Sequence, residues 1–294
     1  MKPSKRNRKW LIAVALFLLM AAVAAAIFFA AAGRSAADDI PTDAQAQIAV
    51  HFVDVGQGDC AVIETPDGNL LIDAGTKQSE AAIKRCIDDL GITEFAYAIF
   101  THPHADHIGS AAAIVEAYTI DSVVMPNAVS TSKTFEKLIA AIEEKDCHVI
   151  EGKAGRRLTL GGLTIDLLAP VKAYDDLNNM SIVALLTYGD GTFLFTGDAE
   201  ALSETDMLEN GVPACDVLKV GHHGSSTSSS EEFIAAVSPQ IAVISVGEGN
   251  SYGHPHASTL ERLKAHGVQV LRTDLCGTIT ITCDGTRYKI KTEK

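Results

Sequence analysis

From residue 47 onward the hydrophobic spacing switches repeatedly between strand-like and helix-like. "QIAVHFVDVG" is rich in β-branched residues and stops at a glycine, which predicts a strand. "CAVIETPDGNLLIDAG" predicts two strands joined by a Pro-Asp-Gly turn. In "SEAAIKRCIDDLG", Ala82, Ile83, Cys86, Ile87 and Leu90 share one helical face, and Gly91 ends the helix. Strand "FAYAIFT", helix "IGSAAAIVEAY", strand "DSVVMP", helix "SKTFEKLIAAIEEK" and strand "CHVIEG" follow. Two hairpins are expected in "RLTLGGLTIDLLAP" and "SIVALLTYGDGTFLFTGD", each with a glycine-containing turn. Helix "AEALSETDMLENG", strand "DVLKVG" and a Ser/Thr-rich loop come next. Helix "SEEFIAAVS", strand "IAVISVG", helix "ASTLERLKAHG", strand "VQVLRT" and the hairpin "GTITITCDGTRYKIK" complete the chain. Hairpins mixed with strand–helix alternation imply two sheets covered by helices, one α/β layered domain over residues 47–294.

The N-terminus does not share this pattern. Residues 1–9 are a basic stub, and residues 10–33, "WLIAVALFLLMAAVAAAIFFAAAG", are uncharged and strongly apolar. A span of about 20 residues crosses the bilayer hydrocarbon, whereas the apolar core of a signal peptide is usually about 7–15 residues. A transmembrane signal anchor is therefore expected, with a cleaved signal peptide as the alternative. The basic flank stays cytoplasmic, which places the rest outside the cell membrane as a single-pass protein, or secreted if cleaved. Residues 34–46, small, polar and acidic, read as a linker. Beyond Arg34 there are 18 basic and 37 acidic residues, a net charge of −19. Such a surface serves solubility and argues against a general DNA-wrapping face. The six cysteines, Cys60, Cys86, Cys147, Cys215, Cys276 and Cys283, form no CxxC pair, so they read as small hydrophobes rather than zinc ligands.

Candidate chemistry collects where strands end. "THPHADHIGS" puts three histidines and an aspartate in six residues, between a buried strand and a helix. His102 and His104 alternate along extended chain and face the same way. Asp106 and His107 lie at the turn into the helix and address a second point. Imidazole and carboxylate are ligands for zinc, manganese and iron. Asp198 ends the strand "FLFTGD"; its alternative role is to cap the helix expected from Ala199. His222 and His223 follow the strand "DVLKVG", and adjacent histidines point apart, so one of them is expected to be a ligand. His254 and His256 follow another strand. His51, His148 and His266 sit in ordinary elements and read as structural.

Together these segments resemble the metallo-β-lactamase superfamily. "HPHADH" matches its HxHxDH signature, "LLIDAG" its preceding aspartate, "FTGD" its later aspartate and "KVGHHGS" its late histidine. "HFVDVGQGDC", "NNMSIVALL", "TGDAE", "LKVGHHGSSTSSS" and "NSYGHPH" resemble the C-terminal domain of ComEC-type competence proteins. One apolar segment stands where those proteins carry a multi-helix membrane channel, which counts against an expectation of DNA transport by this chain. The resemblance implies a four-layer αββα sandwich, here preceded by one N-terminal apolar helix, with two divalent metal ions, zinc or manganese. It implies His102 and His104 on one metal, Asp106, His107 and His222 on the other, and Asp198 between them. His223 would stand behind His222, and Asp73 would orient a ligand histidine. The family's third histidine for the first metal is missing; "DDLNNMS" occupies that point, which favours tolerance of manganese.

The expected activity is hydrolysis by a metal-activated water, with Asp106 and His254 as catalytic residues. His254 would protonate the leaving oxygen or bind the anion. Asn179, Ser181, Ser225 and Ser226 are the expected substrate-binding residues, the last two through hydroxyls and backbone N–H groups of the "GSSTSSS" loop. A phosphodiester, DNA among them, is the expected substrate, and no nucleotide cofactor is expected. The alternatives are a cell-surface phosphodiester of the teichoic-acid type, a lactam, lactone or thioester, or a non-catalytic extracellular metal-binding module.

Overall fold

The alternation of spacings becomes alternation of faces. The computed structural model describes residues 47–294, which make one compact unit. The expectations for residues 1–46, the apolar segment included, lie outside the described residues. Among the described residues, no helix is long and apolar enough to cross a membrane.

One sheet has eight strands: β1 (Ile48–Phe52), β2 (Ala61–Thr65), β3 (Gly68–Ile72), β4 (Glu94–Ile99), β5 (Thr119–Met125), β6 (His148–Glu151), β14 (Ile279–Cys283) and β15 (Tyr288–Thr292). Their order is β15-β14-β1-β2-β3-β4-β5-β6. The other has seven: β7 (Arg157–Leu160), β8 (Leu163–Ala169), β9 (Val183–Tyr188), β10 (Gly191–Phe195), β11 (Val217–Lys219), β12 (Ile241–Ile244) and β13 (Gln269–Arg272). Their order is β13-β12-β11-β10-β9-β8-β7. In both sheets the hairpin half is antiparallel and the helix-connected half parallel (β3-β4-β5-β6 and β10-β11-β12-β13), because parallel neighbours need a crossover.

Period-2 alternation sorts the side chains into layers. Val50, Phe52, Ile63, Leu70 and Ile72 of the first sheet meet Ile165, Leu186, Phe193, Phe195 and Val243 of the second in an inter-sheet core. The opposite face of the first sheet, Val62, Leu71, Ala98 and Val123, is covered by Ile83 and Ile87 of α1 (Glu80–Asp89), Ile114 of α3 (Ala111–Ala117) and Leu138 of α4 (Lys133–Glu144). A shorter helix, α2 (Ala105–Ile108), lies between. Outside the second sheet, Leu185, Leu194, Leu218 and Ile244 pack on Met207 of α5 (Ala201–Glu209), Phe233 of α6 (Glu231–Val237) and Leu263 of α7 (Ala257–Ala265). The last helix, α8, is the short Thr273–Cys276. The expected four-layer αββα sandwich is therefore the observed fold. All six cysteines are free.

Candidate metal centre

The site forms where β3, β4, β10, β11 and β12 run out of sheet. The loop after β4 carries His102, His104, Asp106 and His107 into α2, and the loop after β1 closes on it. Gly58 permits that closure: a Cβ there would lie 2.4 Å from the Asp106 carbonyl oxygen, which accepts from the Asp59 N–H at 3.1 Å.

Three groups of ligand-type atoms converge among the described residues; Asp198 belongs to two of them, and Asp59, Asp73 and His107 form the third behind them. Asp106, His107, Asp198 and His223 form the first, and His102, His104 and Asp198 the second. His107 Nε2 is 3.1 Å from Asp198 Oδ1, His223 Nε2 is 3.3 Å from Asp106 Oδ2, and His102 Nε2 is 3.0 Å from His104 Nδ1. Yet His107 Nε2, His223 Nε2 and Asp198 Oδ1 are buried without a properly aligned hydrogen bond. Orphaned buried polar atoms are costly. Three of them facing one point fit a cation.

The far nitrogens of the rings are committed, which leaves the near ones free to bind. Asp73 Oδ2 accepts from His107 Nδ1 at 2.7 Å and from the Thr101 hydroxyl at 2.7 Å. The Thr101 oxygen is then left to accept from His102 Nδ1 at 3.2 Å, as does Ser181 Oγ at 3.2 Å. One carboxylate thus orients His107 directly and His102 through Thr101. On the other side, His223 Nδ1 donates to the Ser245 carbonyl at 3.0 Å and lies 3.2 Å from Asp59 Oδ1. Asp59 Oδ2 is in turn 2.7 Å from Lys219 Nζ. Lys219 points inward because it shares a strand face with Val217.

These charges set the protonation of the metal-free site. Burial opposes charge on His223, but Asp198 and Asp59 outweigh it and raise its pKa to about 10. His107, equally buried, is also raised, by Asp198 and Asp73. Burial, with His107 beside it, holds His102 well below the usual imidazole range. Asp198 stays well below the ordinary carboxylate range despite burial, through His107 and His223. Asp59 is lowered too, against burial, by Lys219 and His223. Protons on two histidines thus hold the place of cations among four carboxylates.

Several sequence expectations change. Both His222 and His223 have an Nε2 3.7 Å from Asp198, but only His223, 1% exposed and 3.3 Å from Asp106, enters the four-residue group. The structure thus brings His223 rather than the expected His222 to the second metal position. His222 and His223 both have positive φ, 49° and 54°, so the chain turns through the left-handed region and presents the second ring inward. Gly224 (φ 81°) secures the turn, since a Cβ there would meet Pro255 at 2.6 Å. Asp198 is not a helix cap: α5 begins at Ala201 with Glu200 before it. Asn179 is buried, its Oδ1 accepts from the N–H groups of Glu200 and Ser203 at the start of α5, and it does not line the cleft of the site. Ser181 is wholly buried behind His102 and accepts from the Asp198 N–H at 3.0 Å. The "GSSTSSS" loop has no free anion cradle, because the buried Glu204 carboxylate already accepts from Ser229 and Ser230 N–H. Ser225 is buried on Thr227, and the exposed Ser226 donates its N–H to His256 Nδ1.

His104, Asp106, Asp198, His222, His223 and His254 do line one cleft of about 310 Å³ with Gln57, Asn178 and Tyr252. Burial, then His222 and His223, push His254 down to about 4 in the metal-free site, and its Nδ1 is buried without a hydrogen-bond partner. His51 bonds Glu64 and His266 bonds Glu231, both away from the site. Asp59, Thr101 and Lys219 had not been assigned roles from sequence. An inward-facing lysine in the apolar strand "DVLKVG" was the available signal, since a buried charge requires a partner.

The family model described as the metallo-beta-lactamase superfamily matches residues 53–248. The chain is 34% identical over 252 residues to ComE operon protein 3 of Bacillus subtilis, covering 78% of this chain and 32% of that protein. It is 32% identical over 241 residues to competence protein ComA of Neisseria gonorrhoeae, covering 79% of this chain and 32% of that protein. The chain thus spans about a third of the length of these curated relatives. Among solved structures, the metallo-beta-lactamase fold protein YhfI of Bacillus subtilis superposes with a TM-score of 0.54 at 14% identity, over 84% of this chain and 100% of that one. CmlA, a diiron beta-hydroxylase from Streptomyces venezuelae, gives 0.55 at 14% identity, over 83% of this chain and 55% of that one. Fold, convergent His/Asp groups and sequence match agree, and the chain belongs to the metallo-β-lactamase superfamily as a relative of competence proteins.

Proposed function

We propose that this protein is a dinuclear-metal phosphodiesterase, exported and held at the cell membrane through residues 10–33. The observation that carries the reading is the pair of His/Asp groups sharing Asp198. His102, His104 and Asp198 would hold one divalent ion, and Asp106, His107, His223 and Asp198 the other, with zinc and manganese both suited to the donors. When bound, the ions supply Lewis acidity, lowering the pKa of water and neutralising charge on the substrate oxygens. The chain's own residues do the rest. Asp73 and Thr101 fix the tautomers of His107 and His102, and the Ser245 carbonyl, with the Asp59–Lys219 pair beside it, fixes that of His223. Neutral His254 and half-buried His222 offer N–H donors to the phosphoryl group from the cleft wall. Relatives named as competence proteins make a nucleic-acid phosphodiester the favoured substrate.

The test is hydrolysis of bis-p-nitrophenyl phosphate and of single-stranded DNA by the full chain with manganese or zinc, beside His102→Ala and Asp106→Ala controls. Cleavage by the parent and loss in both variants is expected. If the metal-loaded parent cleaves neither substrate, the proposal fails. Metal analysis finding no bound ion in folded protein would remove its basis.

A further inference from the structure

Tyr252, at the mouth of the cleft, is 65% exposed. Its ring stacks on His254 with centroids 5.7 Å apart and planes 25° apart. The loop beneath is tightly held. Asn250 Oδ1 accepts from the N–H groups of Tyr252 and His254 at 3.2 and 3.0 Å, and its amide donates to the carbonyls of Gly247 and His254 at 2.9 and 2.7 Å. Gly247 N–H reaches Gln57 Oε1 at 3.2 Å, tying the loop to the segment after β1. A single asparagine therefore fixes the tyrosine relative to a residue on the wall of the centre. One ring face is covered by His254 and the remainder is open. Among the described residues the cleft also has no Lys or Arg in its lining, while Asp106 and Asp198 are part of it. The nearby Lys219 is buried and already neutralised by Asp59.

We infer that the site engages a single phosphodiester and stacks the base of one flanking nucleotide on Tyr252. It does not track the backbone of a long strand. This rests on the phosphodiesterase reading above and narrows its substrate. Stacking on an exposed aromatic ring holds any base, since every base has a π-face. Following a polyanion requires cations for successive phosphates, and beyond the metal centre itself the described lining of this cleft supplies none. Phosphates beyond the scissile one add no affinity.

The experiment uses the full chain loaded with Mn²⁺. Bis-p-nitrophenyl phosphate comes first: no turnover overturns the phosphodiesterase reading, and this inference with it. Given turnover, KM is compared for dTpdT, for the same dinucleotide lacking one base, and for a 20-residue oligothymidylate, over 50–300 mM NaCl. The expected result is a KM for the long strand within about threefold of that for dTpdT. Log affinity should fall with log salt by a slope no steeper than about −1, as for one phosphate contact on a single strand. Tyr252→Ala should raise KM for dTpdT about tenfold, a typical loss for one stacked base. Tyr252→Phe should restore it, and the parent should show the same loss on the dinucleotide without its base. An unchanged KM in Tyr252→Ala overturns the stacking assignment. Affinity that climbs with strand length at a slope of about −3 or steeper overturns the single-phosphate assignment. Both leave the phosphodiesterase reading standing.

Discussion

Lys219→Met removes one charge from the interior while keeping the length of the side chain. Lys219 is 3% exposed, its Nζ is 2.7 Å from Asp59 Oδ2, and it donates to the Val220 carbonyl at 2.7 Å. Asp59, itself 5% exposed, is then left with only imidazoles beside it, His223 at 3.2 Å and His107 at 4.0 Å. Removing one partner of a buried pair costs about 3–5 kcal/mol. His223 still offsets part of the charge, so the lower end, about 3 kcal/mol, is expected. For a domain of this size each kcal/mol lowers Tm by roughly 2–4 °C, which puts the metal-free variant about 6–12 °C below the parent. Circular dichroism melts of metal-free protein at pH 7 read this directly. The double variant Asp59→Leu, Lys219→Met should regain most of the loss, because it leaves no buried charge unpaired. A melt within about 2 °C of the parent, or a double variant no better than the single, would refute the pairing argument.

Thr101→Val keeps shape and deletes the hydroxyl that links Asp73 to His102; metal affinity by calorimetric titration should fall about 10–100-fold with the circular dichroism spectrum retained, and unchanged affinity would dismiss the relay. His223→Ala should reduce bound metal from two ions toward one by elemental analysis, whereas His222→Ala should keep both; the opposite outcome would return the ligand role to His222. The raised His223 pKa gives the metal-free protein a stabilising contribution that is full below about pH 6.5 and lost as pH climbs through about 10. Urea midpoints of metal-free protein should therefore decline over that window, and a flat profile would count against the buried imidazolium. Since metal needs neutral imidazole, uptake at pH 7 should release protons from His223 and His107. Binding heats should then vary with the ionisation enthalpy of the buffer, and identical heats across buffers would contradict this.

Secondary structure was legible because its signals are local. Leu70 and Ile72 face one way and Leu71 the other by strand geometry alone, and Ile83 and Ile87 share a helix face by the 3.6-residue period. The ligand types were legible for a similar reason: His102, His104, Asp106 and His107 lie within one short loop at a strand end. The short helices Ala105–Ile108 and Thr273–Cys276 were not separately foreseen, because four residues are too few to display a period.

What the sequence determined by itself was the order of strands and helices, the layered α/β class and the set of side chains able to bind metal. Tertiary structure alone decided which of them meet. His223 rather than His222 turns inward because two left-handed residues and Gly224 set the direction of that loop, and no periodicity encodes loop dihedrals. Asp59 finds Lys219 across the inter-sheet space, and Glu204 accepts from the serine-loop N–H groups that the sequence reading assigns to an anion. Asn179 braces the start of α5 rather than a substrate. Each is a pairing between residues distant in sequence or in irregular backbone, and it exists only once both sheets have packed face to face.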